Sequence, residues 1–348
     1  MYFNSISLAG VTLTFLLIYF ILKRNFILSD NIDFSNHKKF VANNNSPIVL
    51  GGIFFTIILL FFFKEVSIFF KFFASLLFIL GLLADTNFLL NTKFRFITQI
   101  LLISSFILIE NLSVSNFDFY FINKLLVNDL FKFFLTCFCI LVLINGCNFI
   151  DGLNGLLSGY SVFILLSLYL LNKNDQLSEF IFIFNDDLSF LLFSLLLFLI
   201  FNSFGFVILG DSGSYLIGFT IGVILIKISS FNSNYISPLY FASLLWYPAF
   251  ETLFSILRRI INNFSISKAD NYHLHHLVYI HVKKKNFLKK KSLVNSFSSL
   301  LILIFCLPGF ILANNYFYDR EVLLSLLISN VILYLLFYFY MKNRLKIY

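Results

Sequence analysis

The residues with the clearest potential for chemistry lie in the segment 145–155, which reads Asn-Gly-Cys-Asn-Phe-Ile-Asp-Gly-Leu-Asn-Gly. Its polar side chains recur at every third position, as Asn145, Asn148, Asp151 and Asn154. On a helical turn this spacing forms one continuous polar stripe. Because the segment separates two apolar runs, the stripe is predicted to face a ligand rather than lipid. The two glycines that follow Asp151 are predicted to break the helix and to admit a ligand close to the backbone.

Carboxylates at the ends of apolar runs are the second kind of candidate, because charges there are costly and usually mark ion or substrate sites. Asp211 lies in Gly-Asp-Ser-Gly-Ser, where a carboxylate beside glycines can hold Mg²⁺ while the N–H groups of a helix start face phosphate oxygens. A capped helix N-terminus is the simpler explanation of that motif. Asp85 ends one apolar run, and Lys93 and Arg95 begin the next. An N-cap or a surface ion pair explains this second arrangement equally well.

Three histidines, His273, His275 and His276, occur within four residues at the end of the segment 270–276. Their spacing differs from the i, i+4 pair of His-Glu-x-x-His metalloproteases, and no cysteine lies near enough to complete a structural zinc site. Histidines that face a phosphate or a nucleotide therefore fit better, and a zinc site is the alternative. The lysine cluster at 283–291 is predicted to anchor the chain to anionic lipid.

A fifth polar segment, 36–52, contains Asn-His-Lys-Lys and, further on, Ser-Pro-Ile-Val-Leu-Gly-Gly. The proline and the paired glycines predict a bent start to the next helix, where the backbone can approach a ligand. An ordinary loop with a proline at the helix start is the simpler explanation.

These segments are separated by long apolar runs. The 348 residues are 59% hydrophobic and 12% charged, whereas about a quarter of the residues of a soluble globular protein are charged. Repeated apolar runs of about twenty residues predict an all-α polytopic membrane protein with about eleven transmembrane helices, in a single integral-membrane domain over 1–348. The predicted spans are 5–22, 48–63, 66–84, 96–113, 130–145, 155–171, 187–204, 213–228, 238–261, 293–312 and 322–341.

The distribution of charge predicts an orientation. The first apolar run has no basic residue before it and is followed by Lys23 and Arg24, which favours a retained helix with a periplasmic N-terminus and, after eleven spans, a cytoplasmic C-terminus. The cytoplasmic segments then hold 18 of the 25 Lys and Arg residues. All five histidines and the three aspartates Asp85, Asp151 and Asp211 fall on the same face. A single active centre open to the cytoplasm is therefore expected.

Taken in order, the five segments resemble the polyprenyl-phosphate N-acetylhexosamine-1-phosphate transferases, a bacterial membrane family. It includes the enzymes that initiate enterobacterial-antigen and O-antigen synthesis and the phospho-MurNAc-pentapeptide translocase. The specific motifs are Asn-x-x-Asn-x-x-Asp-Gly-Leu-x-Gly-Leu at 145–156 and Asp-x-x-His-Leu-His-His at 270–276. Leu-Gly-Asp-Ser-Gly-Ser at 209–214 and Pro…Glu-Thr…Arg-Arg at 248–259 support them. The His-Leu-His-His form is similar to the O-antigen branch.

The resemblance implies that a lipid-carrier phosphate, undecaprenyl phosphate in a bacterium, attacks the β-phosphorus of a UDP-N-acetyl sugar and releases UMP. It implies a requirement for Mg²⁺, with Mn²⁺ as an alternative. The implied metal ligands are Asp211 and Asp151, the implied catalytic residues are Asp85, Asp151, His273, His275 and His276, and the implied substrate-binding residues are Asn145, Asn148, Asn154, Lys93 and Arg95.

Four positions depart from the pattern of the family. Ala84 replaces the first Asp of an Asp-Asp pair, and Asn154 replaces the second Asp of Asp-Gly-x-Asp-Gly. Asn271 replaces an Arg, and Glu251 replaces the Asp that commonly precedes Thr. An active sub-branch is expected because Asp151, the Mg²⁺ candidate in Gly-Asp-Ser-Gly-Ser and the three histidines remain. A catalytically inactive scaffold is the alternative.

The expected partners are a UDP-N-acetyl sugar, undecaprenyl phosphate and membrane lipids, without nucleic acid, and a homodimer is left open. The expected location is the bacterial inner membrane. A transporter or flippase of lipid-linked sugars is the main alternative from another class. It would predict charges near the middle of the bilayer and paired half-repeats, whereas the predicted spans carry almost no charge between their ends and show no repeat.

Overall fold

The computed structural model of this chain describes residues 5–25, 47–172, 185–264, 272–286 and 288–346. Within these ranges it contains fourteen helices and one pair of very short strands. The segment Asn-His-Lys-Lys at 36–39 and the residues Asp270 and Asn271 lie outside the described residues.

The first half of the described chain contains six helices and one strand. These elements are α1 (Ser5–Asn25), β1 (Ile48–Val49), α2 (Gly51–Phe61), α3 (Ile68–Asp85), α4 (Thr92–Glu110), α5 (Tyr120–Leu125) and α6 (Asp129–Ile150). The second half contains the remaining eight helices and the second strand. They are α7 (Leu156–Asn172), α8 (Asn185–Ser203), β2 (Val207–Ile208), α9 (Gly210–Phe231), α10 (Pro238–Leu244), α11 (Trp246–Ile261), α12 (Leu274–Lys285), α13 (Lys291–Asn315) and α14 (Arg320–Leu345).

Eight of these helices are long and apolar enough to cross a membrane, namely α1, α3, α4, α6, α8, α9, α13 and α14. Two shorter apolar helices, α2 and α7, occupy the places of the second and sixth predicted spans. The prediction of an all-α polytopic membrane protein is therefore confirmed. The eleven predicted spans correspond to the eight long helices, these two shorter ones and the pair α10–α11.

The ninth predicted span, 238–261, was expected as one helix, and the structure divides it at Leu245. The cause is Pro248 in the first turn of α11, because proline has no N–H to donate to the carbonyl four residues earlier. That carbonyl belongs to Leu244, and it accepts a hydrogen bond from the Tyr160 hydroxyl at 2.9 Å instead. The break is thus satisfied by a side chain from α7, as lipid-embedded backbone requires.

Helix α9 lies at the centre of the bundle. In its apolar stretch 72% of the residues are buried, whereas the corresponding share for α1 is 17%. Its Phe219 ring stacks on Phe70 at 5.3 Å and meets the edge of Phe106 at 5.0 Å. Between membrane helices such close packing supplies most of the cohesion, since lipid tails are as apolar as the side chains themselves. The middle of α9 is therefore packed against both α3 and α4.

The strands β1 and β2 pair in parallel, with Ile48 opposite Val207, and they join the starts of α2 and α9. The Leu50 N–H donates to the carbonyl of Ile208 at 3.2 Å. A Cβ on Gly51 would lie 2.6 Å from the Leu209 Cα, so only glycine permits this approach. The glycines after β1 were expected to bring backbone close to a ligand, and in the structure they bring α2 close to α9.

Candidate active site

The first group of site residues surrounds the N-terminus of α9, and we call it the carboxylate cluster. It consists of Asp85 at the end of α3, Arg95 in the first turn of α4, and Asp211 and Ser212 in the first turn of α9. Asp85 and Arg95 precede Asp211 by 126 and 116 positions, and the fold brings them together at the start of α9. Two of the predicted carboxylates and one predicted cation thus meet at one helix start.

Asp85 is committed to the backbone of α9. Its Oδ1 accepts from the N–H of Asp211 at 2.8 Å, and its Oδ2 accepts from the N–H and the hydroxyl of Ser212 at 3.0 and 2.7 Å. These are N–H groups that a helix leaves unpaired at its N-terminus. Asp85 is the last residue of α3, and it caps the N-terminus of the neighbouring helix α9.

Asp211 forms an ion pair with Arg95, with 2.5 Å between Oδ2 and Nη1. The two side chains remain partly exposed, at 25% for Asp211 and 18% for Arg95. The Arg95 Nε–H is buried and meets no acceptor among the described residues. Lys93 is exposed, and the start of its helix is capped by the Asn91 side chain. Of the two predicted cations, only Arg95 joins the cluster through a direct contact with a carboxylate.

The last turns of α6 connect this cluster to the rest of the site. Asn145 donates to the Gln99 side chain at 3.1 Å, and Asn148 donates to the Ser214 hydroxyl of α9 at 3.1 Å. The predicted polar stripe is thus present as far as Asn148, and it faces α4 and α9. Helix α6 then ends at Ile150, as the glycines of the segment predict.

Asn154 lies apart from these residues. Its side chain is buried, and its backbone N–H donates to the Asn295 side chain of α13 at 2.6 Å. The adjacent Gly155 N–H donates to Asn202 of α8. Asn154 therefore belongs to the junction of α7, α8 and α13, and the structure does not bring it to the carboxylate cluster.

The second group of site residues lies on the other side of the end of α6, and we call it the histidine cluster. It consists of Glu251 from α11 and His273, His275 and His276 at the start of α12. The His273 and His275 rings are stacked with 5.4 Å between their centroids, and those of His275 and His276 are 4.3 Å apart. The histidines predicted as site residues therefore form one compact group.

The histidine cluster packs directly against the Asp151-Gly152 turn. A Cβ on Gly152 would lie 2.6 Å from Nε2 of His275 and 2.9 Å from Nε2 of His276. Glycine is thus required at this position by the imidazole rings that contact its backbone. The neighbouring Phe149 ring lies 5.3 Å from the His273 ring and 5.6 Å from the Arg259 guanidinium. Phe149 and Asn148 are adjacent in the chain, so the end of α6 touches both clusters.

Glu251 organises the histidine cluster from a fully buried position. Its Oε1 lies 2.9 Å from Nδ1 of His273 and 3.3 Å from the Ser255 hydroxyl, and its Oε2 accepts from the Tyr334 hydroxyl at 2.7 Å. Because a carboxylate accepts hydrogen bonds, the proton of His273 is placed on Nδ1 and its ring orientation is fixed.

Neither Glu251 nor Tyr334 was predicted to be a site residue, although a carboxylate inside an apolar span is itself a signal of function. Tyr334 has no comparable signal, because a tyrosine in an aromatic-rich span is common. The contact between Glu251 and His273 joins residues 22 positions apart, on two different helices.

The residues present suit a magnesium ion by their donor chemistry. Mg²⁺ usually binds one or two carboxylates together with substrate phosphates and water, rather than an all-protein cage. Among the described residues no three His, Cys, Asp or Glu side chains converge to hold a metal. Asp211 offers a partly exposed carboxylate, and Arg95 would have to release its Oδ2.

A family model matches the middle of the chain. Residues 67–229 match the family model described as Glycosyl transferase family 4. This range contains the whole carboxylate cluster and the end of α6, whereas the histidine cluster lies beyond it.

Curated bacterial proteins are similar over a comparable part of the chain. The undecaprenyl-phosphate alpha-N-acetylglucosaminyl 1-phosphate transferase of Escherichia coli O157:H7 is 29% identical over 206 residues, which are 59% of this chain and 56% of that protein. The probable undecaprenyl-phosphate N-acetylglucosaminyl 1-phosphate transferase of Bacillus subtilis strain 168 is 28% identical over 207 residues, 58% of this chain and 55% of that protein. The chain thus spans just over half the length of the curated relatives it matches.

Proposed function

We propose that this chain is a member of glycosyl transferase family 4 and that it transfers a sugar-1-phosphate from a UDP-sugar to undecaprenyl phosphate and releases UMP. The sugar is an N-acetylhexosamine, with N-acetylglucosamine as the first candidate because the relatives are named for it. The observation that carries the proposal is the carboxylate cluster, in which Asp85, Arg95 and Asp211 meet at the N-terminus of α9.

The reaction requires positive charge more than it requires a base. An oxygen of the carrier phosphate forms a bond to the β-phosphorus, and the bond from that phosphorus to the oxygen bridging to UMP breaks. Both the attacking and the leaving group are anionic, so electrostatic stabilisation is the main task of the site. Arg95 supports this role, because its buried Nε–H meets no acceptor among the described residues and a phosphate oxygen would satisfy it.

Magnesium, when bound, would neutralise charge on the diphosphate. Asp211 is the proposed ligand, and Asp151 at the end of α6 is the second. Asp85 acts as a positioning residue, because its hydrogen bonds to α9 hold the backbone of Asp211 in place. Asn145 and Asn148 line the side of the site that faces α6 and are the proposed contacts for the nucleotide-sugar.

The histidine cluster is proposed to position the Asp151-Gly152 turn. His275 and His276 are almost fully buried, and their Nε2 atoms face the backbone of Gly152. Glu251 in turn fixes His273, His273 stacks on His275, and His275 contacts the turn that carries Asp151.

We place the protein in the bacterial inner membrane with this site open to the cytoplasm. Two cations at the clusters support that orientation, because Arg95 pairs with Asp211 and the Arg259 guanidinium lies over the Phe149 ring at the end of α6. The positive-inside rule assigns such an end to the cytoplasm. A dimer of the chain is compatible with the proposal.

The test is UMP release by the purified full chain with undecaprenyl phosphate and a panel of UDP-N-acetyl sugars, with Mg²⁺, with Mn²⁺ and with EDTA. We expect metal-dependent release with one sugar, which names the substrate and the reaction together. Membranes from cells that lack the chain are the control for contaminating activity. Absence of release across the panel, from protein shown to be folded, would overturn the proposal and favour an inactive scaffold.

A further inference from the structure

A second candidate binding site shares no residue with either cluster and lies on the surface formed by α12, α13 and α14. It is an open groove of about 520 Å³, which we call the α12–α14 groove. Its floor and walls are almost entirely apolar and include Val282, Leu301, Ile304, Leu333 and Phe337. None of these helices contributes a residue to the carboxylate cluster.

One end of the α12–α14 groove is strongly basic. His281 and Tyr340 line the groove where α12 and α14 approach their C-termini. Arg344 donates a hydrogen bond to the Tyr340 hydroxyl, and its guanidinium lies 5.7 Å from the centre of that ring. Burial, and then the positive charges of Arg344, Lys285 and Lys284, lower the pKa of His281. Several cations thus crowd one mouth of an otherwise apolar channel.

The length of the groove fits one leaflet of a bilayer. Its lining residues on α14 run from Leu333 to Met341, which is about 12 Å at 1.5 Å per residue. Half of the hydrocarbon core of a membrane is about 15 Å. The basic mouth is at the end of α14 that carries Lys342 and Arg344, where the headgroup region of that leaflet begins.

We propose that the α12–α14 groove holds an acyl chain of an anionic phospholipid, with the headgroup phosphate bound by Arg344 and Lys285 at the mouth that His281 lines. An apolar groove alone would accept any lipid chain, but only an anionic headgroup complements the cations at its mouth. Basic pockets between membrane helices bind anionic headgroups in this way. The lipid would brace α12, whose first turn carries the histidine cluster.

The phospholipid is a better occupant than the lipid carrier. The phosphate of the carrier must reach the carboxylate cluster, which is formed by α3, α4 and α9. The basic mouth of the groove is formed by α12 and α14 instead. The carrier nevertheless shares the same chemistry, a phosphate on a long apolar chain, so the experiment must distinguish the two.

The test is lipid retention by the purified full chain, measured by native mass spectrometry after exchange into an equal mixture of phosphatidylglycerol and phosphatidylcholine. We expect at least fivefold preference for phosphatidylglycerol, because each cation near a headgroup contributes about fivefold in affinity. The double variant Arg344→Gln, Lys285→Gln should lower this binding by about 20-fold. The matched control is Lys23→Gln, Arg24→Gln, which removes the same charge from the end of α1 and should change nothing.

A second variant, Ile304→Trp, fills the apolar part of the groove and should reduce retention of both lipids. Equal retention of the two lipids by the wild type would overturn the proposal, and so would unchanged retention by the double variant. Displacement of phosphatidylglycerol by an equal amount of undecaprenyl phosphate would assign the groove to the carrier and would also overturn it. These measurements need no turnover, so they are independent of the proposed activity.

Discussion

The carboxylate cluster and the histidine cluster lie on opposite sides of the end of α6, and they differ in their access to water. Asp211 and Arg95 of the first are partly exposed and are joined by one ion pair. Glu251 of the second is fully buried and makes contacts with three different side chains.

This difference indicates a division of labour. A partly exposed ion pair contributes little to stability, so a ligand can replace one of its partners at small cost. A buried carboxylate held by several donors is costly to disturb, because each loss leaves an unpaired polar group out of contact with water. The carboxylate cluster is therefore suited to binding substrate, and the histidine cluster is suited to holding the backbone around Asp151 in a fixed shape. Substitutions in the two clusters should accordingly differ in their effect on stability.

The largest effect on activity is expected from Asp211→Asn. We expect UMP release to fall at least ~100-fold, as it does when one group that stabilises transition-state charge is removed. The thermal unfolding midpoint should stay unchanged, because the lost ion pair is partly exposed. The matched control is Asp186→Asn, an exposed carboxylate in the first turn of α8, which should retain full activity. A loss of folding in Asp211→Asn would contradict the division of labour.

Glu251→Gln should lower both activity and stability. The turnover number should fall about 10- to 100-fold, as for partners that orient a functional histidine, with a smaller change in KM and an altered pH profile. The free energy of unfolding should fall by about 2 kcal/mol, because a buried hydrogen-bonded charge is lost. In the control Tyr334→Phe, one donor to Glu251 is removed and the contact with His273 remains. That variant should lose about 1 kcal/mol and keep its pH profile.

Gly152→Ala tests whether the histidine cluster acts through the backbone. The new Cβ would lie 2.6 Å from Nε2 of His275, so the turn or the rings must shift, at a cost of about 1–3 kcal/mol. Turnover should fall severalfold because Asp151 moves with its neighbour. The control Gly10→Ala places a Cβ at an ordinary 3.4 Å from the Phe62 ring and should be neutral. Wild-type turnover in Gly152→Ala would separate the histidines from the function of Asp151.

The smallest effect is expected at the opposite end of the bundle, between α2 and α3. Burial, and then the charge of Asp187, raise the pKa of Glu65 from 4.5 to about 7. The folded state therefore holds this proton more tightly, and the stability it contributes is present below pH 4.5 and is lost as the pH rises through 7. Glu65→Gln should remove this pH dependence of the free energy of unfolding. The change should be less than about 1 kcal/mol, because the side chain is exposed. UMP release by Glu65→Gln should equal that of the wild type. If the stability of the variant kept the wild-type pH dependence, Glu65 would not be its cause.

Much of the general arrangement could be predicted from the sequence. Apolar runs of spanning length and the alternation of their ends predict that Asp85, Asp151, Asp211 and the histidines share one face. The structure brings the three aspartates and the histidine cluster together around the end of α6 and the start of α9, whereas His37 lies outside the described residues. The break in the ninth span could also have been predicted, because Pro248 removes a backbone hydrogen bond. Its partner Tyr160 could not, since that contact depends on how α7 packs.

The contacts within each cluster could not be predicted from the sequence, and the reason is the same for both clusters. A carboxylate at a helix end can accept hydrogen bonds from several partners. Asp85 meets the N-terminus of α9 only because α3 packs against α9. Glu251 and His273 are likewise joined by the packing of α11 and α12 rather than by any spacing in the chain. The residue types indicated where polar chemistry lies, and tertiary packing decides which groups act on substrate and which support them.

The parallel pairing of β1 with β2 has a consequence for the order in which the protein is made. Leu50 is synthesised long before Ile208, yet its N–H is fully buried and is paired with that carbonyl. This N–H therefore gains its acceptor in the folded protein only after the segment before α9 has been synthesised. A chain interrupted before residue 207 would lack β2, Asp211 and Ser212, and with them both the strand pairing and the carboxylate cluster.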